Sequence, residues 1–193
     1  MVENIFLIII LLELIAGFIV YLKNKSLKEI ENENRLTGFE LARKLSGDET
    51  HIIEKKGIIS NYYDQKRDTV KLSEEVFNNQ SIYASFTSLI VSNKNKTILN
   101  LRDLNDFLII ISYSMIIIGA FLNNLMLIRL GMIIYIIAII IESYSLKIMI
   151  NNINNLLKDE QYIKSSKIDN KTVISVALRN SLLLSIRFIR YIQ

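Results

Sequence analysis

The chain of 193 residues carries one histidine, His51, and no cysteine, so the side chains that bind zinc best supply one imidazole and no thiolate. A two-histidine or thiolate zinc site is out of reach within one chain, and carboxylates alone would suit magnesium or calcium better. Nucleophilic chemistry is equally short of partners. Ser85 and Ser88 lie in an apolar stretch without a histidine base near them in sequence and read as packing or solvent contacts. Glu74 and Glu75 are neighbours that diverge on a helix, which rules against a catalytic carboxylate pair; behind Ser73 they suit the positive end of a helix dipole. No Gly-rich phosphate loop and no internal repeat occurs. The ionisable residues in unusual places are Glu13, Arg129 and Glu142, each in or beside a long apolar run, where such a group needs a partner across helices or subunits.

The elements that must position these groups are membrane spans. Hydrophobic residues make up 51% of the chain and are concentrated in blocks. Residues 5–22 form an apolar run broken only by Glu13, long enough to cross a bilayer, which takes about 20 helical residues. The run lacks a basic leader and a small-residue cleavage site, and reads as a retained anchor. Residues 107–122 and 125–141 are two further runs separated by Asn123 and Asn124, a turn that suits an antiparallel hairpin, with Arg129 placed to snorkel. Residues 173–192 carry Arg179, Arg187 and Arg190 and form a weaker candidate that crosses the membrane, lies in its interface or packs on the hairpin.

Lys23, Lys25 and Lys28 follow the first run, and Lys147, Lys158, Lys164, Lys167 and Lys171 follow the third, so both segments are expected in the cytoplasm and the N-terminus outside. The formal charge of +4 then reflects topology and contact with anionic lipid. No arginine-rich motif or aromatic-interleaved basic patch points to nucleic acid. Heavy use of Ile, Asn and Lys without Pro or Trp fits an AT-rich bacterial genome. In the central region Thr37 and Glu40 form a capping box ahead of a short amphipathic helix stopped by Gly47. Short β-prone runs at 51–53, 58–63 and 69–72 predict two or three strands. Ser81 is placed to cap a helix that runs to about Ser92, after which Asn93, Lys94, Asn95 and Lys96 either end it or form a solvated, lipid-facing basic turn.

Three segments in order carry a resemblance. LTGFELARKL from Leu36, YYDQKRDTVKLSEEVFNNQSI from Tyr62 and IIESYS from Ile140 resemble the neutral zinc metallopeptidases of bacterial membranes, whose zinc helix bears H-E-x-x-H. Counting nine residues on from Ser81, as the family pattern does, puts Ile90 at the first histidine, Val91 at the catalytic glutamate and Lys94 at the second histidine. All three are substituted, and neither Ile, Val nor an ammonium offers a lone pair to a metal. Glu142 matches the family's third ligand, while Tyr144 replaces an asparagine, Tyr62 a histidine and Gln65 a proline. The resemblance implies that Ile90→His, Val91→Glu and Lys94→His together would regain zinc affinity if Glu142 sits opposite.

The sequence thus predicts a mainly α membrane protein of about four hydrophobic helices with a small α+β cytoplasmic insertion, metallopeptidase-like. It divides as an anchor at 1–22, a metallopeptidase-like region at 23–106, a helical hairpin at 107–146 and a cytoplasmic segment with a last hydrophobic helix at 147–193. The resemblance implies a multi-pass protein of the bacterial cell membrane that needs no cofactor, where intact relatives hold zinc. The expected role is non-catalytic, as a binding or assembly partner of another membrane protein or of a second copy. The alternatives are an active hydrolase with a rebuilt site and an eroded gene product.

Overall fold

The computed structural model of the chain describes residues 2–56, 60–157 and 170–181. Its elements run α1 (Val2–Lys28), α2 (Gly38–Ser46), β1 (His51–Glu54), β2 (Tyr62–Asp64), β3 (Thr69–Leu72), α3 (Glu74–Phe77), α4 (Ile82–Ser92), α5 (Lys96–Phe121), α6 (Leu125–Leu156) and α7 (Asn170–Ser181). Among the described residues three helices are long and apolar enough to cross a membrane: α1, α5 and α6. The described part of the fourth apolar run is α7, only 12 residues long. Its Val173, Val176 and Ala177 are buried, and it packs against α1, α4 and α6. Arg187, Arg190 and the rest of that run lie outside the described residues.

The α5–α6 hairpin follows from spacing. Buried residues on α6 are Gly131, Tyr135, Ala138, Glu142, Ser145 and Met149, recurring every three or four positions, so they hold one seam toward α5 as in left-handed helix pairs. Small residues let the backbones close up: a Cβ on Gly131 would stand 2.8 Å from the Ser112 carbonyl oxygen, and the Ser112 hydroxyl donates to the Gly131 carbonyl at 2.8 Å. Polar ties then set the direction of α1. Arg129 at the start of α6 donates to Glu3 at 2.8 Å, and the Tyr135 hydroxyl donates to Glu13 at 2.7 Å. Helix α1 therefore runs parallel to α6, and Arg129, expected to snorkel, is instead engaged by an acid of the neighbouring helix.

At the other end of the bundle the last turns of α1, the first of α5 and the last of α6 meet a compact region built around α4. All eleven residues of α4 are buried, and its apolar ones share one cluster with Leu27, Leu41, Val70, Leu72, Val76, Met149 and Ile153. The sheet has the order β1-β3-β2, with β1 parallel and β2 antiparallel to β3. The register pairs Ile53 and Tyr62 with Lys71 from either side. Thr37 and Glu40 make the expected capping box of α2, and Ser81 caps α4 by accepting from the Ala84 amide. Ser73 holds the N-cap position of α3, yet its side chain makes no cap bond. The turn of chain after α1 is tied to the start of α4: the Asn32 amide donates to the Gln80 carbonyl and the Ile82 amide to the Ile30 carbonyl, each at 2.8 Å.

Candidate functional site

The face of α4 that a zinc helix would use is set by helical spacing. Ser81, Ser85, Ser88 and Ser92 recur every three or four residues and form one stripe, while Tyr83, Thr87 and Ile90 fall on the opposite face. The serine stripe is a packing surface. A Cβ on Gly38 would lie 2.8 Å from the Ser88 hydroxyl and 2.1 Å from the Val76 carbonyl oxygen, so Gly38 and the buried Ala42 bring α2 tightly onto it. Ser85 donates to the Ser81 carbonyl at 3.1 Å and accepts from Asn32 at 3.1 Å, an arrangement that ties the stripe to the turn after α1 and gives the hydroxyl no base. The glycine of LTG is thus required by close approach.

Ile90 on the opposite face and Val91 on the flank beside it are each 2% exposed. They belong to the cluster that contains Met149 and Ile153 of α6 and Val173, Val176 and Ala177 of α7. Lys94 lies past the helix, which ends where its sequence is expected to end. Helix α4 ends at Ser92, Asn93 is extended (φ −73°, ψ 102°), and Asn95 already caps α5 through the Thr97 and Ile98 amides. Residue 94 therefore leaves the helical face of residue 90. Its ammonium reaches Asp68 at 2.8 Å, donates to the buried Thr50 hydroxyl and stands over the Tyr63 ring. It is neither lipid-facing nor on the helix: it staples the α4–α5 junction to the β2–β3 turn.

Glu142 is 5% exposed and accepts from the Asn105 side-chain amide at 2.8 Å. It sits two helical turns before Met149 on α6, about 10 Å along the axis. Met149 and Ile153 are where α6 joins the α4 cluster. Asn105 was not singled out by the sequence, although it occupies the same seam as Ile109 and Ser112 at four- and three-residue spacing, a signal that is visible in retrospect. His51 lies at the exposed start of β1 in register with Thr69. Glu75 is paired with Lys28, in keeping with a surface role for the two adjacent acids.

Zinc is the group that the resemblance implies, and the residues do not fit it. Ile90 and Val91 are hydrocarbon in an apolar cluster, residue 94 is off the helix and engaged elsewhere, and among the described residues no three His, Cys, Asp or Glu side chains converge to hold a metal ion. Regaining zinc by Ile90→His, Val91→Glu and Lys94→His would first require α4 to extend through Asn93 and Lys94.

One group of charged side chains gathers on the sheet. Lys71 donates to Asp64 at 2.9 Å and to the Tyr62 hydroxyl at 3.0 Å, and Lys55 donates to that hydroxyl at 3.1 Å. The hydrogen bond from Lys71 holds the Asp64 carboxyl below its ordinary value against the opposing effect of burial. Tyr63, on the same strand, donates to Asp68 at 2.6 Å. Burial, that bond and the charges of Asp68 and Asp64 push its phenol up to about 12. A family model described as "Putative neutral zinc metallopeptidase" matches residues 3–177 of the chain. No curated protein and no solved structure matches it.

Proposed function

The chain belongs to the neutral zinc metallopeptidase family, and from that premise we propose that it is a catalytically silent form of the scaffold, acting in a bacterial membrane as a non-catalytic binding or assembly partner. The observation that carries this reading is the state of α4. The positions that align with the ligands and the base hold Ile90 and Val91, buried inside a helix with no exposed face, and Lys94, which lies past its end. A metallopeptidase needs a metal-bound water and access for a peptide at that helix. What remains is a folded domain on three membrane helices with an open sheet edge: β1 pairs only with β3 among the described strands, and such an edge accepts an extended segment by strand addition.

Purified protein is expected to contain no stoichiometric zinc by elemental mass spectrometry and to show no metal-dependent cleavage of unstructured peptides. Crosslinking in native membranes is expected to trap one specific protein partner or a second copy. One tightly held zinc, or chelator-sensitive cleavage, would overturn catalytic silence; a monomer with nothing trapped above background would count against the partner role.

The same reading places the α4-centred domain in the cytoplasm, since Lys23, Lys25 and Lys28 of α1 and Lys147 of α6 lie at the end of the bundle that carries it. In intact cells Gln65→Cys is expected to resist an impermeant thiol reagent and Leu122→Cys, beside the hairpin turn, to react. The reverse pattern would invert the topology.

A further inference from the structure

Tyr62 stands between two cations. Two ammonium groups donate to its one hydroxyl oxygen, Lys71 at 3.0 Å and Lys55 at 3.1 Å, and both stand over its ring at 4.8 and 5.0 Å. The register that sets Tyr62 beside Lys71 on neighbouring strands holds the pair on one face of the sheet. Lys71 is anchored from its other side by Asp64, with only 11% of its side chain exposed, so its charge acts through little intervening water. Helix α4, which also packs on β2, carries no charged residue, while Lys55 and Lys71 both bond this phenol and Asp64 in turn holds Lys71.

We infer that Tyr62 is the nucleophilic side chain of this domain and a site of covalent modification by acyl and sulfonyl electrophiles. Hydrogen bonds from two cations stabilise a phenolate far more than a neutral phenol, and the phenolate is the attacking species. Burial by itself would push the Tyr62 phenol up; the bonds from Lys71 and Lys55 and their charges outweigh it and hold the group below the ordinary tyrosine value. Its neighbour Tyr63, bonded to a carboxylate, is pushed the opposite way, so two adjacent phenols on one strand are separated in reactivity by their partners. With an arylsulfonyl fluoride, the phenol proton passes to solvent, the phenolate oxygen bonds to sulfur, the S–F bond breaks and fluoride leaves. No oxidant or reductant is involved.

The full chain in detergent micelles, treated with benzenesulfonyl fluoride at pH 8 and mapped by peptide mass spectrometry, is expected to be modified at Tyr62 at least about tenfold faster than at Tyr63, since the Tyr63 phenol is pushed up to about 12 while that of Tyr62 is held below the ordinary tyrosine value. Lys55→Met should slow that reaction severalfold while leaving the fold intact, because Lys55 follows β1 and its bond to the Leu72 carbonyl is made by the backbone amide, which the substitution keeps. Lys71→Met should slow it further. An independent reading is the titration of ring-labelled Tyr62 by carbon NMR in the unmodified protein, expected below the ordinary tyrosine midpoint. Equal modification of Tyr62 and Tyr63, a rate indifferent to Lys55→Met, or a Tyr62 midpoint at or above about 10 would overturn the inference.

Discussion

Ile90→His combined with Val91→Glu is expected to unfold the α4-centred region rather than to begin a metal site. Both positions are 2% exposed and belong to the apolar cluster that joins α4 to α6 and α7. The variant loses the transfer free energy of two buried aliphatic side chains, about 1.5–3 kcal/mol each. It also asks a carboxyl and an imidazole to enter that cluster without partners, at a further cost of roughly 1–3 kcal/mol or more apiece. The sum, on the order of 5 kcal/mol or above, matches the entire stability of a marginal domain. Thermal melts followed by circular dichroism in micelles, with protein abundance in membranes alongside, would register it. Adding Lys94→His supplies the remaining ligand type, and no recovery with zinc is expected, because residue 94 lies past the extended Asn93. Zinc-dependent recovery of the melting temperature in the triple variant would mean that α4 lengthens and that Glu142 is within reach, overturning the present account of the helix end.

Gly38→Ala is the second large effect, from a single methyl group. Its Cβ would stand 2.1 Å from the Val76 carbonyl oxygen and 2.9 Å from the Val76 carbonyl carbon, backbone atoms that cannot swing aside as a side-chain tip would. The strain has to spread through α2, α3 and α4 together, and overpacking of this kind costs about 1–3 kcal/mol or more. A loss at the upper end, near 3 kcal/mol, is expected. Gly17→Ala serves as the control, since nothing lies within 4 Å of a Cβ there and the residue is helical; it should be neutral or slightly stabilising. Equal melting temperatures for Gly38→Ala and the parent protein would contradict the tight approach of α2 to the Val76 backbone of α3.

Legibility differed by element. The ends of α2 and α4 were readable because a cap is settled within one turn: Thr37 with Glu40, and Ser81 with Ala84. β1 and β3 fell where short β-branched runs placed them, whereas the run at 58–63 resolved into a strand at Tyr62–Asp64, with 57–59 outside the described residues. Three apolar blocks announced α1, α5 and α6 by length alone. The last block was left open between crossing, lying in the interface and packing on the hairpin, since hydropathy does not distinguish a helix buried by lipid from one buried by protein; its described part, α7, packs its Val173, Val176 and Ala177 face in the protein core.

The sequence by itself determined which ligand sets are out of reach: with a single histidine and no cysteine, one chain offers neither a two-histidine nor a thiolate site. It also determined the three long apolar helices and the caps, because hydropathy and capping act over one segment or one turn. Only the tertiary structure decided who satisfies each polar group. Glu13 meets Tyr135, Glu142 meets Asn105, Lys94 leaves the zinc-helix face for Asp68, and Tyr62 lies between Lys55 and Lys71. Most of these partners come from other elements of the fold, and a buried or half-buried charge takes whichever partner packing brings within hydrogen-bond reach, a matter of distance in space on which local sequence pattern is silent.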